Sequence, residues 1–281
     1  MPTLRREAAE IYYVVEGADD AVPVAIAPGM GAHSGDILSS LLSGMLTRAG
    51  FRVLIVDNQG SGRTVSHRDG TLITFGDMAA DLAAAMDDAG MPDAHIIGIS
   101  MGGAVATSFV LDFPQRARSL ISIVSLAYGD YPSRAGFIVE TMRLLRDHNV
   151  PLNLINRVGL LYLVDEPTFR DLDAVDQWVN APPDPFAQTR EGWEIQSEAM
   201  QAYDVRSRLG EIRAPTLIMG SPDDIIVPLV HQQELAAAIS GAALKIYPGG
   251  HLFMLNPQRL PSFMGDMITF LNGVEAANPQ A

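Results

Sequence analysis

A serine, a pair of aspartates and a histidine stand where their chemistry could be combined. Ser100 lies at the centre of the pentapeptide Gly98–Gly102, Asp223 and Asp224 follow an apolar run, and His251 ends a glycine-rich turn. A serine hydroxyl is a weak nucleophile at neutral pH unless an adjacent base takes its proton, and histidine commonly fills that role. An acid next to the histidine fixes its tautomer and stabilises the imidazolium that forms. These residue types therefore predict nucleophilic catalysis at a carbonyl.

Each of these candidates follows a predicted buried strand. The apolar run 94–99 precedes Ser100, the run 215–219 precedes the aspartates, and the strand 244–247 precedes His251. Because ligands bind at the carboxyl ends of the strands in an open parallel sheet, the three groups are expected to face one crevice. A helix of small residues is predicted after Ser100. Ser100 would then lie in a sharp turn between a strand and a helix, which is the setting of a nucleophile elbow.

Strands alternate with helices over most of the chain, which favours a mostly parallel sheet covered by helices on both faces. Further strands are predicted at 11–15, 22–27, 51–56 and 120–124, and helices at 36–47 (with Asp36 as N-cap), 75–89, after Pro228 and at 258–271. Between 129 and 208 helical patterns and the breaker-rich segment 181–185 replace the alternation. We predict an α/β core over 1–128 and 209–281, with a helical cap over 129–208.

Composition narrows the classes of function. The 281 residues are 48% hydrophobic and 19% charged, which is typical of a globular protein. A net charge of −14 without a basic stripe argues against nucleic acid as a partner. With no cysteine there is no disulfide and no thiolate site. No apolar run reaches the ~18 residues of a membrane span, and no signal core opens the chain. We expect a cytoplasmic protein with a small-molecule substrate, and the oligomeric state stays open.

The chain resembles the α/β-hydrolase superfamily over nearly its whole length. The motifs that carry the resemblance are Gly98–Gly103, the loop Asp57–Arg63, the segment Asp224–Pro228 and the dipeptide Gly250-His251. Their order, serine before acid before histidine, is that of the superfamily. Within it the chain looks more similar to small-molecule esterases and enol-lactonases, or to carbon–carbon hydrolases of ring-cleavage products, than to large lipases. The resemblance implies catalysis without a metal or other cofactor.

The resemblance also assigns an oxyanion hole. The backbone N–H groups of Met101 and Met30 are expected to hold the negative oxygen of the tetrahedral intermediate, and losing one such donor costs about 3 kcal/mol. Two positions depart from the common pattern. Pro28 stands where many relatives have histidine, and Gln59 stands where they have arginine. Neither change removes a member of the implied triad.

The acid of the triad requires a choice between two neighbours. Counting three residues from Gly220 selects Asp223, which is a common spacing in the superfamily. Counting back from Pro228 selects Asp224, through the pattern Asp-x-Ile-Val-Pro. We favour Asp224, with Ser100 as nucleophile and His251 as base.

Three more residues are candidates for the substrate pocket. His33 lies in the loop after the strand 22–27, and Trp178 and Trp193 lie in the predicted cap. For the tryptophans, packing of the cap on the core is the alternative interpretation. His95 is expected at the wrong end of the sheet for catalysis, and His231 is expected in solvent or on the cap surface.

The predicted function is hydrolysis of a carboxylic ester or lactone of a small, partly apolar molecule. Hydrolysis of a carbon–carbon bond beside a ketone uses the same triad and is the first alternative, and a hydrolase-like small-molecule receptor is a second. A dinucleotide-binding unit is a third, because Gly29-x-Gly31 follows a strand. It is disfavoured, since Asp57 lies 28 residues after Gly29 rather than ~20. The sequence has no helical His-x-x-x-His pair, so no metal site is predicted.

Overall fold

The computed structural model describes residues 3–67, 70–129 and 132–277, and nine strands form one sheet in these ranges. Each of the three predicted ranges, 1–128, 129–208 and 209–281, includes a few residues outside the described ones. The strands are β1 (Thr3–Arg5), β2 (Ala9–Glu16), β3 (Val22–Ala27), β4 (Phe51–Val56), β5 (Val65–Ser66), β6 (Ala94–Ile99), β7 (Ala117–Ile123), β8 (Thr216–Gly220) and β9 (Ala243–Ile246). Their order is β1-β2-β4-β3-β6-β7-β8-β9, with β5 beside β2.

Ten α-helices accompany the sheet in the described ranges. They are α1 (Ile37–Arg48), α2 (Phe75–Asp88), α3 (Met101–Asp112), α4 (Arg134–Asp147), α5 (Leu152–Leu163), α6 (Glu166–Phe169), α7 (Leu172–Val179), α8 (Arg190–Ala202), α9 (Leu229–Ala238) and α10 (Leu260–Ala277). None of the helices in these ranges is long and apolar enough to cross a membrane.

The sheet is parallel from β4 to β9, whereas β1, β2 and β5 pair antiparallel at one side. Every residue of the central strand β6 is buried, as expected for a strand covered on both faces. One apolar cluster joins the sheet to α2, α3 and α9, and a second joins its other face to α1 and α10. This confirms the predicted class, a mostly parallel sheet between two layers of helices.

Local capping explains where the first helices begin. Asp36 caps α1 as predicted, since its Oδ1 accepts a hydrogen bond from Ser39 N at 2.7 Å. A capping box of Thr74 and Asp77 starts α2. The last helix differs from prediction, because α10 continues to Ala277 rather than ending at residue 271. Val274 is buried in that extension and gives it an apolar anchor.

Helices α4 to α8 lie between β7 and β8, within the range predicted as a cap. The two ends of this insertion meet in an antiparallel bridge between Tyr128 and Asp204. Backbone hydrogen bonds from Gly129 N to Tyr203 O (2.7 Å) and from Val205 N to Ala127 O (2.9 Å) close the same junction. The chain therefore leaves the core and returns to it at one point.

Candidate active site

The turn between β6 and α3 has the strained geometry of a nucleophile elbow. Ser100 has φ 54° and ψ −121°, a conformation that non-glycine residues rarely adopt and that costs about 1–3 kcal/mol. The flanking glycines have no room for a side chain. A Cβ on Gly98 would lie 2.2 Å from the carbonyl oxygen of Gly102, and one on Gly102 would lie 1.9 Å from that of Ala27. The glycines are thus required by close backbone approach.

The loop after β9 brings His251 to this serine. The ring Nε2 of His251 lies 2.9 Å from Ser100 Oγ, and its Nδ1 lies 2.7 Å from Asp224 Oδ2. His251 is buried, with 5% of its surface exposed, so the ring is shielded from bulk water. When Nδ1–H donates to the carboxylate, Nε2 is left as the acceptor for the serine hydroxyl. The arrangement can therefore activate Ser100 as a nucleophile.

The two neighbouring aspartates have different partners. Asp224 is buried, and its second oxygen, Oδ1, accepts hydrogen bonds from Ile226 N and Val227 N, both at 2.9 Å. Asp223 is exposed, and its Oδ2 accepts from Gly249 N at 3.0 Å. The structure places Asp224, and not Asp223, beside the histidine. The two backbone donors fix the orientation of the Asp224 carboxylate.

Two backbone N–H groups near Ser100 have no acceptor in the described part of the chain, those of Met30 and Met101. Met101 is the first residue of α3, where helix N–H groups point outward. The loop that carries Met30 lies against the nucleophile, because a Cβ on Gly29 would be 3.6 Å from Ser100 Cβ. Both groups line the same cavity as Ser100. Their position fits the expected oxyanion hole.

A buried glutamine of α8 supports this loop, and sequence reasoning missed it. Gln196 Oε1 accepts from Gly31 N at 2.9 Å, and its Nε2 donates to Gln59 O at 2.9 Å. Asn58 Nδ2 holds the loop from the core side by donating to Pro28 O at 3.0 Å. The role of Gln196 is revealed by the complete burial of its side chain, and the sequence alone does not show that burial.

A cavity of about 1090 Å³ lies between the core and the insertion. Its wall includes Ser100, His251 and the three residues predicted for substrate contact, His33, Trp178 and Trp193. The two tryptophans come from α7 and α8. Trp178 is half-buried and Trp193 is buried, so both also pack within the insertion.

His33 is already engaged by protein groups on both ring nitrogens. Its Nε2 lies 2.6 Å from Asp184 Oδ2, and its Nδ1 accepts from Gly35 N at 3.1 Å. Burial opposes ionisation of Asp184, but the hydrogen bonds from His33 and from Phe186 N together hold the pKa of Asp184 below its usual value. Arg63 stacks over the ring of Phe186 at 3.7 Å. These contacts tie the cap loop to the core.

Two further histidines, His231 and His95, are buried outside the triad. His231 was expected in solvent or on the cap surface, and this is wrong: it is buried, and its ring lies 5.3 Å from that of Tyr128. The cause is the short helix α9, which packs beside the site. His95 is buried with Nδ1 2.8 Å from Ser119 Oγ, a core contact remote from the elbow.

Asp57, the acid that a dinucleotide-binding unit would need to bind its ribose, already accepts hydrogen bonds from the core loops. Asp57 is fully buried and accepts hydrogen bonds from Ser34 N at 2.6 Å and Arg63 N at 2.8 Å. Gln59 donates from Nε2 to Asp81 Oδ2 at 2.8 Å. Burial outweighs this bond and the nearby positive charge, and it raises the pKa of Asp81 to about 6.

Comparison with known proteins identifies the family to which the chain belongs. The family model described as serine aminopeptidase, S33 matches residues 19–258. A Variovorax paradoxus (strain S110) protein named "Putative carbamate hydrolase RutD" is 28% identical over 95% of this chain and 97% of its own length. A Comamonas testosteroni protein named "2-hydroxy-6-oxononadienedioate/2-hydroxy-6-oxononatrienedioate hydrolase" is 29% identical over 73% of this chain and 72% of its own.

Among solved structures, the enol-lactonase from Burkholderia xenovorans LB400 superposes with a TM-score of 0.80. It is 19% identical in sequence, and the match covers 96% of this chain and 100% of that one. At this identity the likeness concerns the fold. The family model covers most of the chain. The chain therefore belongs to the serine aminopeptidase S33 family of the α/β-hydrolase superfamily and is a hydrolase.

Proposed function

We propose that the protein hydrolyses a carboxylic ester or lactone of a small molecule through an acyl-enzyme on Ser100. One observation carries the proposal: Ser100 Oγ lies 2.9 Å from His251 Nε2 in a cavity where two backbone N–H groups lack acceptors among the described residues. A nucleophile, a base and a pair of oxyanion donors are the groups that acyl transfer needs.

The steps follow from the geometry. His251 Nε2 takes the hydroxyl proton as Ser100 Oγ attacks the carbonyl carbon, and the N–H groups of Met30 and Met101 hold the oxyanion. As the tetrahedral intermediate collapses, the protonated Nε2 gives its proton to the departing oxygen. His251 then takes a proton from a water molecule as the water attacks the acyl carbon. When this second tetrahedral intermediate collapses, the protonated Nε2 returns the proton to the departing Ser100 Oγ and the acid product is released. Asp224 remains ionised throughout and stabilises the imidazolium.

Two further substrate classes deserve testing because relatives carry their names. A carbamate presents the same carbonyl to the serine, and the Variovorax relative is named for carbamate hydrolysis. The Comamonas relative is named for hydrolysis of a dienedioate, the kind of carbon–carbon cleavage that the same triad performs. We place ester or lactone hydrolysis first because it needs only the groups described above.

The first test is covalent labelling. A fluorophosphonate probe should label Ser100 in the folded protein, as mapped by peptide mass spectrometry, and Ser100→Ala should abolish both labelling and turnover. A panel of 4-nitrophenyl acetate, an aryl carbamate and a vinylogous 1,5-diketone then ranks the three reactions. Absence of label at Ser100 in folded protein contradicts the mechanism. Stoichiometric binding without turnover supports the receptor alternative.

A further inference from the structure

The backbone donor at Met30 lies in a tight turn within residues 28–32, the oxyanion loop. Ala32 N donates to Gly29 O at 3.1 Å, which closes a four-residue turn around Met30 and Gly31. Gly31 has φ 71°, the positive value that a type II turn requires at its third position. Because glycine adopts negative φ as readily, the peptide between Met30 and Gly31 could rotate into the type I arrangement unless other contacts hold it.

Two side chains hold the peptide groups on either side of this donor. Asn58 of the core donates from Nδ2 to Pro28 O at 3.0 Å and fixes the peptide group before the one that carries the Met30 N–H. Gln196 of α8 accepts from Gly31 N at 2.9 Å through Oε1 and fixes the peptide group after it. The oxyanion donor is therefore held on one side by the core and on the other side by the insertion.

Both polar atoms of the Gln196 amide have partners, and the side chain is completely buried. Besides the bond from Gly31 N, Oε1 accepts from Gln188 Nε2 at 2.7 Å, and Nε2 donates to Gln59 O at 2.9 Å. A backbone N–H only donates and a backbone carbonyl only accepts, so these partners fix which end of the amide is the oxygen. Gln196 is not among the described residues that line the cavity. Any effect of Gln196 on the reaction must therefore pass through the oxyanion loop.

The start of α8 is packed against the core at backbone distance. A Cβ on Gly60 would lie 2.6 Å from Gly192 O, and one on Gly192 would lie 2.1 Å from Gly60 O. Gln188 Nε2 also donates to Gly60 O at 3.0 Å. Gln196 follows Gly192 by about one helical turn, on the same face of α8. The close contact at Gly192 thus sets the distance at which the Gln196 amide meets the oxyanion loop.

We propose that Gln196 is a positioning residue for the oxyanion hole, so that the insertion supplies part of the catalytic framework as well as the cavity wall. This inference rests on the proposed hydrolysis at Ser100. Without the Gln196 amide the peptide after Met30 is free to rotate, and the Met30 N–H is misaligned when the oxyanion forms. Because this donor acts on the tetrahedral intermediate, its displacement lowers kcat and leaves KM nearly unchanged. A different insertion would need an equivalent acceptor for Gly31 N.

The first test replaces the amide by an apolar side chain of similar length. Gln196→Met should lower kcat for 4-nitrophenyl acetate by about 10- to 100-fold, as expected when a catalytic group is slightly misplaced, with KM within about twofold of wild type. Melting curves show whether the variant is folded. Unchanged kcat in folded Gln196→Met, or a loss that appears only in KM, would overturn the inference.

Asn156→Leu is the matched control. Asn156 is an amide of α5 outside the cavity wall, and its Nδ2 donates to Trp178 O and Val179 O, both at 3.3 Å. The substitution removes hydrogen bonds within the insertion but none to the oxyanion loop. Its kcat should stay within about twofold of wild type. A loss of kcat as large as that of Gln196→Met would mean that any weakening of the insertion suffices, which contradicts a specific role for Gln196.

Gln196→Glu separates positioning from a general loss of stability, because one protein is compared with itself at two pH values. A neutral carboxyl can reproduce all three hydrogen bonds of the amide, whereas an ionised one has no donor for Gln59 O. Burial raises the pKa of a carboxyl, so the new side chain should be largely neutral near about pH 7 and ionised toward about pH 9. The kcat of Gln196→Glu should fall over this range while that of wild type and Gln196→Met stays level. A level profile at the activity of Gln196→Met would count against the proposal.

A binding measurement separates this inference from the proposed reaction. Butylboronic acid adds Ser100 Oγ to its boron, and the tetrahedral anion that results places an oxygen in the oxyanion hole. Its affinity should fall in Gln196→Met by about 10- to 100-fold and stay unchanged in Asn156→Leu, which supports the inference even if no ester is turned over. Ester turnover with equal boronate affinity in all three proteins refutes the positioning role and leaves the proposed hydrolysis standing.

Discussion

Replacing Asp224 by asparagine should disable the site without disturbing the fold. Asp224 Oδ1 accepts from two backbone N–H groups, those of Ile226 and Val227, while Oδ2 faces His251 Nδ1. In Asp224→Asn only an oxygen can satisfy the two backbone donors, so the new amide NH₂ is forced toward the histidine. His251 Nδ1 must then accept, which places the ring proton on Nε2. In that tautomer Nε2 cannot take the proton of Ser100.

The magnitude follows from this tautomer reversal. The equivalent substitution in a serine protease lowers kcat about 10⁴-fold, which corresponds to about 5 kcal/mol of barrier. Stability should change little, since both backbone hydrogen bonds to residue 224 are kept. A loss of no more than about 1 kcal/mol would lower the melting temperature by about 2–4 °C.

The matched control is Asp223→Asn. Asp223 is exposed, and among the described residues its side chain accepts only from Gly249 N, which an amide oxygen also satisfies. Its kcat should stay within about twofold of wild type. The assay is hydrolysis of a short 4-nitrophenyl ester, with circular dichroism and melting curves for all three proteins. A large loss in Asp223→Asn with near-normal activity in Asp224→Asn would refute the reasoning.

Three further perturbations test other parts of the structure. Gly98→Ala should cost more than about 3 kcal/mol, because its Cβ would lie 2.2 Å from Gly102 O; chemical denaturation measures this, and near-wild-type stability would contradict the contact. Asp184→Ala removes the hydrogen-bond acceptor 2.6 Å from His33 Nε2, which should destabilise the contact between the cap loop and the core by about 1–3 kcal/mol. Hydrogen exchange should then accelerate in residues 181–188, and unchanged exchange would count against this contact. Asp81 holds its proton more tightly when folded, with a pKa of about 6 against 3.8, so the free energy of unfolding should fall by up to about 3 kcal/mol between about pH 4 and pH 6. Asp81→Asn should lose that decline in urea titrations at the two pH values, and an identical slope in both proteins would disprove it.

The elements that hold the site could be predicted because each has a local signature. Strand β6 is apolar apart from His95, and glycines flank Ser100 on both sides, so its elbow is specified within a few residues. The meeting of Ser100, Asp224 and His251 follows from a topological rule, since all three come after parallel strands. The hydrogen bonds between these three side chains, and the partners of Asp223 and Asp224, could be learned only from the structure.

Contacts made across the insertion could not be predicted. Gln196 Nε2 donates to the carbonyl of Gln59, 137 residues away, and a glutamine in a polar helix gives no hint of this bond. His231 was placed in solvent because a short helix shows too little periodicity to reveal its buried face.

The closed junction between Tyr128 and Asp204 has a consequence for how the protein could acquire new substrates. The chain leaves and re-enters the core at one hydrogen-bonded point. A change in the length of the insertion should therefore have little effect on the relative positions of β7 and β8. The insertion is then an exchangeable module, and we expect residues 132–202 to accept replacement by the corresponding segment of a relative. Such a chimera would inherit the donor's choice of substrate while the serine and histidine of the recipient continue to supply the chemistry.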